Sequence, residues 1–224
     1  MKKNMYTISI LSFLLLLCAA PIAQAVPITA GDYITLTNYN ALDNAGIMTF
    51  EVSQTSSFSN YSIITTFCIQ DNVYIWPNSA YTIGNISNTV GPVDLSNHIN
   101  TPGIGNLNSA VDYLYYRYAT GAYDLSSLSN QADFQKLLWS LQGSGPAYSS
   151  SGTPWAADLL TYETTASLQN QSWGTEVLNI VGYNSSGTLV DIQNQLYYPV
   201  PEPTTMLLLG LGLVGVAGMR KFCK

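Results

Sequence analysis

Residues 109–143 read SAVDYLYYRYATGAYDLSSLSNQADFQKLLWSLQG, and they are the part of the chain that departs from a strand pattern. Val111, Leu114, Tyr115 and Tyr118 fall at i, i+3, i+4 and i+7, the spacing of one helix face, with Ser109 as the expected cap. Phe134, Leu137, Leu138 and Leu141 repeat that spacing, with Asn130 as the expected cap and Gly143 as the stop. On the N-terminal side the period changes to two. Ile34 and Leu36 alternate with Thr35 and Thr37, and Met48, Phe50 and Val52 alternate after the turn-like Asp43-Asn44-Ala45-Gly46, which predicts a hairpin. Tyr61 to Ile69 predicts a further strand, with Phe67 and Cys68 on opposite faces. On the C-terminal side, Val177 to Tyr183 and Thr188 to Tyr197 predict two more, separated by Asn184-Ser185-Ser186-Gly187. Gly, Pro and Asn make Asn85 to Asn108 a long loop, or an insertion with little regular structure. The expected fold is therefore α+β and β-rich: a β-sandwich or barrel-like sheet with a two-helix insert, spanning residues 26–198.

Charge narrows the function. Of 224 residues, 7 are Lys or Arg and 13 are Asp or Glu, a formal net charge of −6. Lys2, Lys3, Arg220, Lys221 and Lys224 all lie at the two ends. The rest of the chain keeps only Arg117 and Lys136 against every carboxylate, which excludes nucleic acid as a partner, because that binding rests on cations that neutralise phosphates. Residues 1–25 read as a secretory signal peptide. Lys2 and Lys3 open it, Ile8 to Ala20 form its apolar core, Pro21 breaks that core, and Ala23-Gln24-Ala25 supplies the small–x–small cleavage site. An uncleaved N-terminal anchor is the alternative.

The last residues, 200–224, have three parts in order. Pro201-Glu202-Pro203 comes first, then an uncharged stretch over residues 204–219 near the lower limit for a membrane-spanning helix, then Arg220-Lys221-Phe222-Cys223-Lys224. The basic end would stay cytoplasmic and leave the body outside. This arrangement resembles the PEP-CTERM sorting signal of exported bacterial proteins. The resemblance implies an exosortase-type processing enzyme as a partner, an inner-membrane intermediate, removal of the tail near Pro201-Glu202-Pro203, and delivery to the cell surface or extracellular matrix. A plain C-terminal membrane anchor is the alternative. Gly210, Gly212 and Gly215 also fit GxGxxG, but no strand precedes them and no acidic residue follows, so a nucleotide site is rejected.

Cysteine arithmetic singles out one residue. Cys18 lies in the signal and Cys223 in the basic tail, so the body keeps only Cys68. One unpaired cysteine in an exported protein marks either a buried small hydrophobe or a reactive thiol. Its surroundings, Thr66-Phe67-Cys68-Ile69, and the helical stretch Phe134-Gln135-Lys136-Leu137-Leu138-Trp139 resemble the two signatures of bacterial thioester domains in surface adhesins. The resemblance implies that Cys68, after an aromatic residue on a strand, bonds to Gln135 at the opening of an apolar helix that ends in Trp. Phe67, Phe134 and Trp139 are then expected to wall the bond. Lys136 departs from the polar or small residue usual there. Asp191-Ile192-Gln193-Asn194-Gln195-Leu196 is in keeping with such a domain joined to this tail.

The expected function is thus an exported covalent adhesin, acting once rather than turning over, toward an amine or hydroxyl on a surface or matrix polymer. The alternative is a passive matrix or carbohydrate-binding module with Cys68 merely buried, for which sixteen tyrosines could supply stacking surfaces. A hydrolase is disfavoured because the carboxylates are scattered singly. His98 is the one histidine, and no Cys or Asp pattern accompanies it, so neither a metal nor another cofactor is expected. Asp71-Asn72 after Cys68 reads as a turn cap or as a pair that polarises the site.

Overall fold

The computed structural model describes residues 27–42, 45–71, 73–91, 104–183 and 186–199. Several expectations lie outside the described residues. They are the Ala23 and Ala25 cleavage site, the Asp43-Asn44 turn, Asn72, His98, the Pro201-Glu202-Pro203 box, the 204–219 span and the basic tail. Among the described residues, no helix is long and apolar enough to cross a membrane.

The alternating stretches form the expected hairpin. β1 (Tyr33–Leu42) pairs antiparallel with β2 (Ala45–Ser53), and the register from Tyr33↔Ser53 to Leu42↔Ala45 shifts once, between Leu36 and Asn38. Ile34, Leu36, Met48, Phe50 and Val52 are all buried, so the period of two marks the core face. β3 (Ser62–Thr66) adds to β2, and β4 (Ala80–Ser87) adds to β1. β5 (Thr89–Val90) pairs with β6 (Gly105–Asn106), β7 (Glu176–Tyr183) lies on β4, and β8 (Leu189–Asp191) and β9 (Gln195–Tyr197) both pair with β7.

The sheet order is β3-β2-β1-β4-β7-β8, with β9 on β7. Its ends meet. Just past β3, the Leu196 amide donates to Phe67 O (2.9 Å) and the Ile69 amide donates to Asn194 O (3.0 Å), making Cys68 and Gln195 a bridged pair. The strands therefore wrap back on themselves, a curled β-rich sheet compatible with the sandwich or barrel-like form expected.

The helical insert is larger than the sequence pattern suggested. α1 (Ser109–Ala119) and α2 (Leu128–Gln142) match the two predicted helices, but α3 (Ala156–Thr164) and α4 (Ala166–Gln169) follow them. The two-helix insert is thus corrected to four helices among the described residues. α3 escapes periodicity analysis because only Leu159 and Tyr162 are buried along it. It is fixed by Arg117 Nε, which donates to Asp158 Oδ2 at 3.0 Å, and by the Tyr123 hydroxyl, which donates to the same oxygen at 2.8 Å. Both caps sit earlier than expected. Asn108 Oδ1 accepts from the Ala110 amide (2.8 Å), while the Ser109 hydroxyl pairs with Tyr162 OH; Ser127 Oγ accepts from the Asn130 amide (3.1 Å). Gly143 stops α2 as predicted, with φ at 74°. The expected loop from Asn85 is corrected at its described ends, since β4 runs to Ser87 and β5 and β6 follow, while residues 92–103 lie outside the described residues. A register shift between Ile83 and Asn85 turns the Asn85 side chain to accept from Asn179 Nδ2 (2.6 Å).

In the first turn of α1, the buried Asp112 carboxylate accepts from the amides of Trp173 and Thr175, each at 2.9 Å. Asp112→Ala leaves both amides unpaired, and urea unfolding should show a loss of about 2 kcal/mol. An unmoved midpoint would mean that water replaces the carboxylate there.

Candidate functional site

α2 places its side chains into two cores. Phe134, Leu137 and Leu138 enter an apolar cluster with Phe67, Tyr123, Trp155 and the faces of α1 and α3. Ala132 and Trp139 enter the other, with Cys68, Met48, Phe50, Leu178 and Ile180. Gln135 lies at i+3 from Ala132 and i−4 from Trp139, on the face directed at Cys68. Phe67 and Cys68 divide between the same two clusters, as their predicted opposite faces require.

The pattern of bonds to β9 explains why Cys68 is available. Its neighbours Phe67 and Ile69 make the ladder bonds, so Cys68 is the non-hydrogen-bonded member of the pair and its own N–H and C=O point away from β9. The Gln135 carboxamide takes the place that another strand would fill. Cys68 N–H donates to Gln135 Oε1 at 3.1 Å, and Gln135 Nε2 donates to Cys68 O at 2.5 Å. The Cys68 thiol also donates to Gln135 Oε1, with Sγ 3.5 Å away. Both residues are fully buried.

The structure puts Cys68 and Gln135 in contact and Trp139 in the same cluster as Cys68, whereas Phe67 and Phe134 pack edge to face on each other, with centroids 5.3 Å apart, in the other cluster. One detail differs. Gln135 does not open its helix but sits two turns inside it, because the Ser127 cap starts α2 at Leu128.

Electrostatics keep the thiol neutral. Burial pushes the Cys68 thiol far above its ordinary value, and the nearby Asp71 charge adds to the rise. The Trp139 Nε1–H is buried and has no hydrogen-bond partner among the described residues. Tyr39 is pushed up to about 12, mainly by burial and then by the Cys68 charge.

Around this pair lies a polar network built partly from the quoted stretch Asp191–Leu196, whose hydrogen-bonding role the strand pattern does not foretell. Gln193, Asn194 and Gln195 are buried and hold the Cys68 strand from the far side. Gln193 Nε2 donates to Gln70 O (3.0 Å), and the Asn194 amide donates to Gln70 Oε1 (3.1 Å). Ser144, just past α2, donates through its hydroxyl to Ile69 O at 2.9 Å. Three consecutive amide side chains inside a predicted strand were the available signal, since an exposed strand face accounts for alternate residues only. Among the described residues, no group of three or more His, Cys, Asp or Glu could hold a metal ion.

A family model, the PEP-CTERM protein-sorting motif, matches residues 199–221. The match supports the sorting signal. It implies export, a membrane-anchored intermediate, handling by an exosortase-type enzyme, and a surface or extracellular destination. No curated protein and no solved structure matched the chain.

Proposed function

We propose that this sorted, exported protein is a covalent adhesin whose Cys68 and Gln135 form an internal thioester. The supporting observation is the two-point grip of the Cys68 backbone on the Gln135 carboxamide, with Sγ 3.5 Å from Oε1. Attack of sulfur on the Gln135 acyl carbon puts negative charge on Oε1, and the Cys68 N–H at 3.1 Å is already directed at that oxygen. Held orientation supplies much of what amide attack lacks in water. The carbon–nitrogen bond then breaks, the thiol proton goes to nitrogen, and ammonia leaves. The product is an acyl group on sulfur, sealed from water by full burial of both residues. An amine or hydroxyl of a partner polymer that reaches the carbon forms an amide or ester to Gln135 and returns Cys68 as a thiol. The protein is consumed as a binder and does not turn over.

Intact mass of the purified body tests this reading. Wild type should be one ammonia lighter than its sequence and should take up methylamine, and Cys68→Ala and Gln135→Ala should do neither. Full wild-type mass with a titratable thiol would sink it. A passive carbohydrate-binding role has one observation in its favour: Tyr74 and Trp76 are 68% and 69% exposed on either side of buried Ile75. Polysaccharide binding that survives Cys68→Ala but not Trp76→Ala would favour that role.

A further inference from the structure

We propose that Tyr74 and Trp76 form a docking face for a polysaccharide that carries free amino groups, and that this face presents those groups to the thioester. The proposal rests on the thioester reading and adds to it the class of the partner polymer.

The two rings stand on the segment that leaves the Cys68 strand. Tyr74 and Trp76 are 68% and 69% exposed, while Ile75 between them is buried in the cluster that holds Cys68. That alternation puts both rings on one side, with Cα atoms no more than about 7 Å apart. Contiguous exposed apolar surface marks a contact site, whereas scattered single residues do not. The backbone beneath the rings is fixed. The Trp76 N–H donates to Tyr81 OH at 3.0 Å, and the Asn78 amide donates to Leu36 O at 3.1 Å. A platform fixed before binding loses little entropy when a ligand stacks on it.

Charge selects the occupant. The body keeps only Arg117 and Lys136 as cations, and Arg117 is paired with Asp158 at 3.0 Å, so an anionic polymer or lipid surface is repelled. A cationic chain is attracted, and its ammonium groups gain further over the face of Trp or Tyr. Pro77, Asn78 and Ser79 beside the rings are uncharged, while Asp71, half-buried, lies between the rings and Cys68 in the chain. Asp71 Oδ2 is 3.7 Å from the place of a Gly145 Cβ, itself 2.9 Å from Trp139 Cβ, so a carboxylate stands beside the turn of α2 that follows Gln135. Sugar rings supply flat C–H faces for stacking, and their amino groups supply both the charge and the nucleophile. A polymer held on the rings keeps those groups at high effective concentration beside the buried pair. An amino group that has shed its ammonium proton to water bonds through nitrogen to the Gln135 acyl carbon. The carbon–sulfur bond breaks, its electron pair stays on Cys68 Sγ, and the proton then released by the nitrogen restores the thiol.

Capture of a glucosamine oligomer by the thioester form, followed by intact mass, tests the proposal, with the glucosamine monomer at equal amine concentration as the reference. The oligomer should be captured about tenfold or more faster than the monomer, and that preference should largely vanish when Tyr74→Ala and Trp76→Ala are combined. Tyr183→Ala removes a ring that is 74% exposed at the end of β7 and should keep the preference. An oligomer no faster than the monomer, or a preference unchanged in the double variant, would overturn the proposal. The N-acetylated oligomer offers hydroxyls alone, and its capture at a like rate would overturn the amino-group assignment. Faster capture of an oligolysine of equal charge would assign the face to a protein partner and overturn the polysaccharide. A light wild-type mass without the oligomer preference removes this proposal alone, whereas full wild-type mass removes the thioester reading and this proposal with it.

Discussion

Urea unfolding of Phe134→Ala is expected to show the largest loss of any single truncation in the body, about 3–5 kcal/mol. Phe134 is fully buried, and four rings converge on it. Phe67 and Trp155 meet it at centroid distances of 5.3 and 5.1 Å, Tyr123 at 5.6 Å and Tyr118 at 5.9 Å, mostly edge to face. Truncation removes the apolar burial and leaves a cavity that these rings cannot close, since each is held by further partners. The midpoint should fall with an unchanged slope, and Phe134→Leu should recover much of the loss. A double-mutant cycle with Trp155→Leu should give a coupling of about 1 kcal/mol, the usual worth of an aromatic pair. Near additivity would mean that Phe134 acts through bulk alone. Gln135 follows Phe134 on the same helix, so amine capture by the folded fraction should also slow, through a loosened helix rather than altered chemistry.

The parts of this structure legible in the sequence are those where one face meets one core. Ile34, Leu36, Met48, Phe50 and Val52 show the strand period because the other face of that hairpin is polar. Phe134, Leu137, Leu138 and Leu141 show the helix period because all four meet one cluster, even though Ala132 and Trp139 of the same helix enter the other. Where burial is two-sided or polar, the pattern fades. Residues 192–196 were expected as one strand with 188–191, but Ile192, Gln193 and Asn194 interrupt it: the Gln193 side chain and the Asn194 amide bond Gln70, while the Ile192 amide and the Asn194 side chain bond Ile180 on β7. The caps were misplaced by one to three residues because Asn108, Ser109, Ser127 and Asn130 are all competent caps. Only tertiary partners, such as Tyr162 on Ser109, choose among them. Cys68 and Gln135 were legible as a pair through resemblance alone, since nothing in their spacing brings residues 68 and 135 together. Closure of the sheet through Gln195 and the crossing of α2 over β1 and β2 do so, and both are three-dimensional facts.

Gln135→Glu is expected to abolish ammonia loss and methylamine uptake and to make stability strongly dependent on pH. Glutamate has nearly the shape of glutamine, so packing is conserved and only the hydrogen-bond chemistry changes. Cys68 O, now an acceptor for Gln135 Nε2 at 2.5 Å, demands a donor, and a carboxylate has none. The protonated acid can donate there while its carbonyl accepts from Cys68 N–H, so the neutral form reproduces the native grip. Full burial penalises the charged form further. Both effects raise the folded pKa of Glu at this position above its unfolded value near 4.3. A group raised on folding contributes stability that is fully present below the unfolded pKa and is lost as pH rises toward the folded one. The variant should therefore approach wild-type stability below about pH 4 and lose about 1.4 kcal/mol for each pH unit above it, until the folded pKa is reached. Urea midpoints from pH 4 to 8 would measure that slope against wild type, and Gln135→Met would give the loss without the slope. Parallel profiles for Gln135→Glu and wild type would mean that water reaches the carboxylate, and the sealed environment assigned to the thioester would fall with that result.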